Sequence, residues 1–237
     1  MSSTYSFSAL EYAHRKGVAH CDVKPENVLV GLNGHIRVCD WSSALVASIE
    51  KNTSSWNFFC KHLRGTKMYA PPEVIIHKTV SEGMLIAAKP WDTTLGDVWS
   101  TGITLYVMTV GHPPFHYAHP RDPWFASFVR QTHQDDDVAE LILHRHSESL
   151  EKDDCYPSRA QNTSVDVSQE LFSWPPTMSP SLLSLLSKML RVKPEKRCTV
   201  TEALQELKCM NSAPVGDASG TEESAADVEK SDQIPVS

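Results

Sequence analysis

The chain has 237 residues, 41% hydrophobic and 22% charged, which is enough apolar content for one sizeable core. Its formal net charge of −7 argues against nonspecific nucleic-acid binding, and no run approaches the ~20 apolar residues that span a bilayer. Met1 to Ala9 has neither a basic start nor an apolar h-region, so an intracellular, cytoplasmic protein that binds no nucleic acid and no membrane is expected.

In chain order, the first stretch that carries chemistry is His20-Cys21-Asp22-Val23-Lys24-Pro25-Glu26-Asn27, followed thirteen residues later by Asp40-Trp41-Ser42. Transfer of a phosphoryl group to a hydroxyl needs an acceptor for the hydroxyl proton, a cation on the transferring oxygens and oxygen ligands for Mg²⁺. Asp22, Lys24, Asn27 and Asp40 supply those parts. One carboxylate and one amide carbonyl are a sensible protein share of a Mg²⁺ site, because this ion keeps waters and phosphate oxygens for the rest of its octahedron. Between the two motifs, Val28-Leu29-Val30 and His35-Ile36-Arg37-Val38-Cys39 flank a Gly31-Leu32-Asn33-Gly34 turn, which predicts a β-hairpin folding Asp40 back toward Asn27.

Further along, Leu95 to Val110 is apolar on most sides, as a helix buried all round should be, and Gly111 with Pro113-Pro114 ends it. His112, His116 and His119 fall in a turn-rich stretch without a cysteine pair and read as exposed loop residues rather than zinc ligands. His133 to Glu170 is polar and acidic without a sustained period, and reads as a solvated insertion. Ser179-Pro180 opens a helix with Leu182, Leu183, Leu186, Met189 and Leu190 on one face, and Thr199-x-x-Glu202 is a capping box for a last helix to about Leu207. Residues 211–237 carry six acidic side chains against Lys230 and too little apolar content to fold, so an acidic disordered tail is expected there. Six cysteines without a secretory signal read as reduced thiols, with Cys21 and Cys39 as small apolar fillers beside the acidic groups.

These motifs, in this order, resemble the C-terminal lobe of a eukaryotic-type serine/threonine protein kinase. The family's catalytic-loop and metal-loop signatures stand here as His20-Cys21-Asp22-x-Lys24-x-x-Asn27 and Asp40-Trp41-Ser42. Gly65-Thr66-x-x-Tyr69-x-Pro71-Pro72-Glu73, Asp97-Val98-Trp99-Ser100-x-Gly102 and Arg191-x-x-Pro194-x-x-Arg197 follow in the family's order, over roughly residues 5 to 208. The resemblance implies a mainly α fold, the kinase large lobe with a short β-hairpin by the catalytic loop, over residues 1–210, with an insertion at about 133–170. It also implies ATP and Mg²⁺ as cofactors and a protein substrate. Asp22 would be the catalytic base, Lys24 would contact the γ-phosphate beside Thr66, and Asn27 and Asp40 would hold the metal. Leu29 would floor the adenine, His20 and Trp41 would stack, and Glu73 and Arg197 would form a buried ion pair. Asp97 would accept hydrogen bonds from the catalytic-loop backbone. The run from Leu105 to Phe115 looks most like calcium/calmodulin-dependent-type kinases.

The departures from the pattern carry expectations too. Cys21 replaces the arginine that pairs with activation-segment phosphate in many relatives, and a thiol cannot make that bidentate contact. Phosphate at Thr53 to Ser55 would then need Lys61, His62 or Arg64 as its receiver. Ser42 in place of glycine is expected to remove the freedom to adopt positive φ. Tyr5 to His14 looks like the end of the helix leading into the catalytic loop, and no Gly-x-Gly-x-x-Gly occurs. The expectation is therefore a large lobe without its ATP-clamping small lobe, whose upper face seeks a partner chain. Two functions follow: a phosphotransferase lobe that is not autonomous, or a pseudokinase that serves as a binding or regulatory scaffold.

Overall fold

The computed structural model describes residues 2–32, 35–49, 56–60, 64–75, 91–132 and 171–212. The Asn33-Gly34 turn, Thr53 to Ser55, Lys61, His62, the stretch 133–170 and residues 213–237 lie outside them. Helix α1 (Ser2–Arg15) buries Phe7, Leu10 and Ala13, a spacing that places all three on one face. The helix packs against the last helix of the described residues and against the strand over residues 36–38.

Helix α2 (Thr93–Val110) is the central element. Asp92 caps its start by accepting the Thr94 N–H at 2.8 Å, and Gly111 ends it at φ 90°, donating its N–H to Val107 O. Every residue from Asp97 to Tyr106 is buried, as the unbroken apolar pattern predicts. Gly102 lets α4 (Pro180–Met189) come close, since a Cβ there would lie 2.8 Å from Leu190 Cδ2. Trp99, Phe115, Phe125 and Phe128 pack edge-on or tilted around this crossing, with α3 (Pro123–Thr132) supplying the last two. Helix α5 (Val200–Ser212) runs about a turn beyond the sequence expectation. Its predicted capping box is present: Glu202 Oε2 accepts the Thr199 N–H at 2.7 Å, and Thr199 Oγ1 accepts the Glu202 N–H at 3.3 Å.

The strands are short and lie toward the N-terminal half. The predicted hairpin pairs β2 (Val28–Val30) with β3 (Ile36–Val38) antiparallel, Val28 opposite Val38 and Val30 opposite Ile36. A single hairpin is nevertheless too simple a description. Three further antiparallel pairs join β1 (Val18–Ala19) to β4 (Leu45–Val46), β5 (Ser48–Ile49) to β6 (Trp56–Asn57), and β7 (Phe59–Cys60) to β8 (Trp91–Asp92). Two-residue strands show no alternation to read, so only their long-range pairing reveals them. His119 also departs from the exposed-loop expectation and is buried. Its loop is organised by Asp122, a buried carboxylate that accepts four backbone N–H groups: His116, Tyr117, Trp124 and Phe125.

Glu73 and Arg197 join the chain ahead of α2 to this helical frame. The guanidinium forks onto the Glu73 carboxylate at 2.9 and 3.0 Å, and its remaining N–H groups reach Leu95 O and Arg191 O, so every donor is matched. The Trp99 ring lies beneath it, 5.1 Å from Cζ. Arg197→Ala leaves a largely buried Glu73 carboxylate and two carbonyls without their donor. We expect it to lower unfolding free energy by about 3–5 kcal/mol in urea titration, with Arg197→Lys recovering less than half because an ammonium cannot fork.

Candidate phosphoryl-transfer site

The backbone around Asp22 is shaped by a carboxylate on a helix far away in sequence. Asp97, 1% exposed, accepts the His20 N–H with Oδ2 at 2.8 Å and the Cys21 N–H with Oδ1 at 2.7 Å. Two aligned backbone donors on one carboxylate hold the turn in which Cys21 takes φ 64°, a conformation that side-chain-bearing residues rarely adopt. His14, at the end of α1, completes the cluster with Nε2 2.8 Å from Asp97 Oδ2. The β1–β4 pairing then sets the chain before His20 beside the chain after Asp40.

His20 bridges the two motifs and is fully buried. The Asp22 N–H donates to its Nδ1 at 3.2 Å, so the ring proton sits on Nε2 and is donated to Cys39 O at 3.0 Å. Trp41 stacks on it at a tilt, with centroids 4.5 Å apart, while remaining 37% exposed on its other side.

Asp22, Lys24 and Thr66 form a closed triangle. Lys24 Nζ donates to Asp22 Oδ2 at 2.9 Å and to Thr66 Oγ1 at 2.8 Å, and the Thr66 N–H donates to Asp22 Oδ1 at 2.8 Å. Burial works to raise the Asp22 pKa, but the hydrogen bonds from Lys24 and Thr66, with the Lys24 charge, outweigh it and hold the carboxyl below its ordinary value. Asp22 is therefore an ionised acceptor at neutral pH. Asn27 Nδ2 donates to Asp22 O at 2.8 Å, and Cys39 N–H donates to Asn27 O, tying the loop to the strand that leads to Asp40.

Asp40 is exposed and sits at φ 59°, ψ 72°. The left-handed conformation in this loop thus falls on Asp40, while Ser42 keeps a negative φ, as expected of serine in place of glycine. Ser42 donates to Asp40 Oδ1 through its hydroxyl at 2.6 Å and its N–H at 3.4 Å, and these bonds lower the Asp40 pKa. The charges of Asp22 and Lys24 also act on this carboxylate, so the three charged groups share one electrostatic site. The hard oxygens of Asp40 and Asn27 suit a cation such as Mg²⁺. Among the described residues no three His, Cys, Asp or Glu side chains converge as a self-sufficient metal site.

A protein kinase domain model matches residues 4–207. The chain belongs to the protein kinase domain family. It is 27% identical over 198 residues to CBL-interacting serine/threonine-protein kinase 12 of Arabidopsis thaliana, covering 84% of this chain and 29% of the relative. It is 28% identical over 206 residues to Aurora kinase of Dictyostelium discoideum, covering 86% and 38%. Over 108 residues it is 35% identical to human 3-phosphoinositide-dependent protein kinase 1, covering 46% and 16%. The chain thus spans well under half the length of these relatives.

For this protein kinase domain, sequence motifs did not disclose the part played by His14 or the reason for Gly65. His14 lies in a helix whose partner, Asp97, is 83 residues away. Gly65, at φ 75°, passes so close to the catalytic loop that a Cβ would lie 2.1 Å from Cys21 O and 2.9 Å from Asp22 Oδ1. Leu29, by contrast, is 53% exposed on the outer side of the hairpin. No helix among the described residues is long and apolar enough to cross a membrane. We expect Gly65→Ala to push Thr66 off Asp22: the ¹³C-detected titration of the Asp22 carboxyl should move up toward the usual 3.8 while the circular-dichroism helix signal is retained.

Proposed function

We propose that residues 1–210 are the large lobe of a serine/threonine protein kinase that transfers the γ-phosphoryl group of ATP to a protein Ser or Thr hydroxyl. In this reading Asp22 takes or orients the hydroxyl proton, and Lys24 steadies the transferring oxygens. Asn27 and Asp40 would hold Mg²⁺, which when bound would offset the charge of the phosphate. The observation that carries it is the Asp22–Lys24–Thr66 triangle, in which an ionised carboxylate and an ammonium are fixed side by side at the mouth of a loop. A lobe kept only for binding has no physical need of that arrangement. Lys24 and Thr66 together favour the serine/threonine branch.

Leu29 and Val30 on the hairpin and Trp41 after Asp40 expose apolar surface. A small lobe carrying a glycine-rich loop would close over this face, from the same polypeptide or from a partner chain, and Leu29 would then lie under the adenine. The second reading, a pseudokinase scaffold, draws support from that same open face. In it, protein partners engage the lobe and no phosphate is transferred.

Comparison of the chain with its Asp40→Asn variant separates the two. With a kinase small lobe supplied in trans and a generic Ser/Thr-containing protein as acceptor, Mg²⁺-dependent transfer from [γ-³²P]ATP should fall at least about 100-fold on substitution, the scale on which loss of one preorganised transition-state contact acts. Equal background signals from both proteins favour the scaffold.

A further inference from the structure

Where many relatives carry an arginine in the catalytic loop, this chain has Cys21, and the thiol contributes no charge. Burial, followed by the nearby Asp97 carboxylate, pushes the Cys21 pKa up to about 12. Cys21 instead helps to line a small cavity beneath the activation segment, together with Asp22, Arg64, Thr66, Tyr69 and Trp91. Arg64 is the only lysine or arginine among the described residues that line it.

Arg64 is itself exposed, outside any strand, and its guanidinium turns toward the chain that follows Asp40. Its Nη1 donates to Ser43 O at 3.3 Å and to Ala44 O at 3.2 Å, residues 21 and 20 positions upstream. Those two carbonyls sit at the end of the short 3₁₀ turn Trp41–Ser43 that follows Asp40, a turn closed by the Ala44 N–H donating to Trp41 O. On its other side Arg64 adjoins Gly65, which presses on Cys21 O, and Thr66, which binds both Asp22 and Lys24. One cation therefore spans the beginning and the end of the activation segment, with the metal-loop carboxylate at one end and the clamped Asp22 at the other.

We propose that Arg64 is a positioning residue: it supplies from the activation segment the cation that Cys21 cannot supply from the catalytic loop, and ties Ser43-Ala44 to Gly65-Thr66 without phosphate. The proposal rests on the kinase reading and concerns the regulation of that same site. A kinase built this way holds its segment in place constitutively, because main-chain carbonyls are always present whereas a phosphate must be added. One nitrogen serves both carbonyls, so a lysine at this position satisfies the same chemistry in part.

The test is amide hydrogen exchange on the full 237-residue chain, comparing wild type, Arg64→Ala and Arg64→Lys. Loss of the tie in Arg64→Ala should speed exchange about fivefold at Ala44, whose N–H bonds Trp41 O, and at Thr66, whose N–H bonds Asp22. Ile103 and Tyr106 in α2 should be unaffected, and Arg64→Lys should stay nearer wild type than alanine does. Unchanged exchange at Ala44 and Thr66 in Arg64→Ala overturns the proposal, as does acceleration spread equally into α2, which marks a global loss of stability. The readout needs no phosphotransfer, so a silent assay with the Asp40 variant bears on the enzymatic reading and not on this tie.

Discussion

The Asp97 carboxylate is the constraint on which the rest of the site depends. Burying a carboxylate costs several kcal/mol, and only close, well-directed donors offset it. Here they are the His20 and Cys21 N–H groups and the His14 ring, all within 2.8 Å. Hydrogen bonds to charged groups contribute about 1.5–3 kcal/mol each, so the cluster repays its burial only when the catalytic loop takes this one shape. The energetics of the core and the geometry of the loop around Asp22 are thereby made the same problem: the central helix carries the group that bends the loop.

From that bend the remaining contacts follow in sequence. Cys21 turns through positive φ, Asp22 is delivered to Lys24, and the carbonyl of Cys21 is left facing outward where Gly65 passes. Only a residue without Cβ lets the activation segment approach closely enough for the Thr66 N–H to reach Asp22. The far end of that segment is held by Glu73 on Arg197, whose five donors are all matched and whose plane rests on Trp99. Trp99 lies two residues after Asp97 on the same helix, so both anchors of the segment trace to one stretch of α2.

Much of this was legible in the chain because it is local or periodic. The central helix, the Gly111 stop, the Ser179 cap and the Thr199-x-x-Glu202 box each occupy a few consecutive residues with one dominant physical reason. The Val28–Val38 hairpin declared itself by two β-branched runs. What stayed hidden is what only folding brings together. His14 gives no sign of Asp97, two-residue strands such as Phe59–Cys60 have no period, and nothing local announces that Asp40 takes the left-handed backbone. Arg64 is one of several basic residues in its stretch, with Lys61, His62 and Lys67, and its contact with Ser43 and Ala44 appears only when the chain doubles back.

The most direct measurement is the titration of the Asp22 carboxyl in an Asp97→Asn variant, followed by its ¹³C chemical shift. A carboxamide can accept from one of the two loop N–H groups but presents donors to the other, so the turn at Cys21 should open and Asp22 should drift from Lys24 and Thr66. Its pKa, held low in the native chain, should then rise toward the ordinary aspartate value of 3.8. An Asp22 titration that stays where it was, in a variant that remains folded, would contradict the claim that a buried carboxylate on α2 shapes the phosphoryl-transfer site.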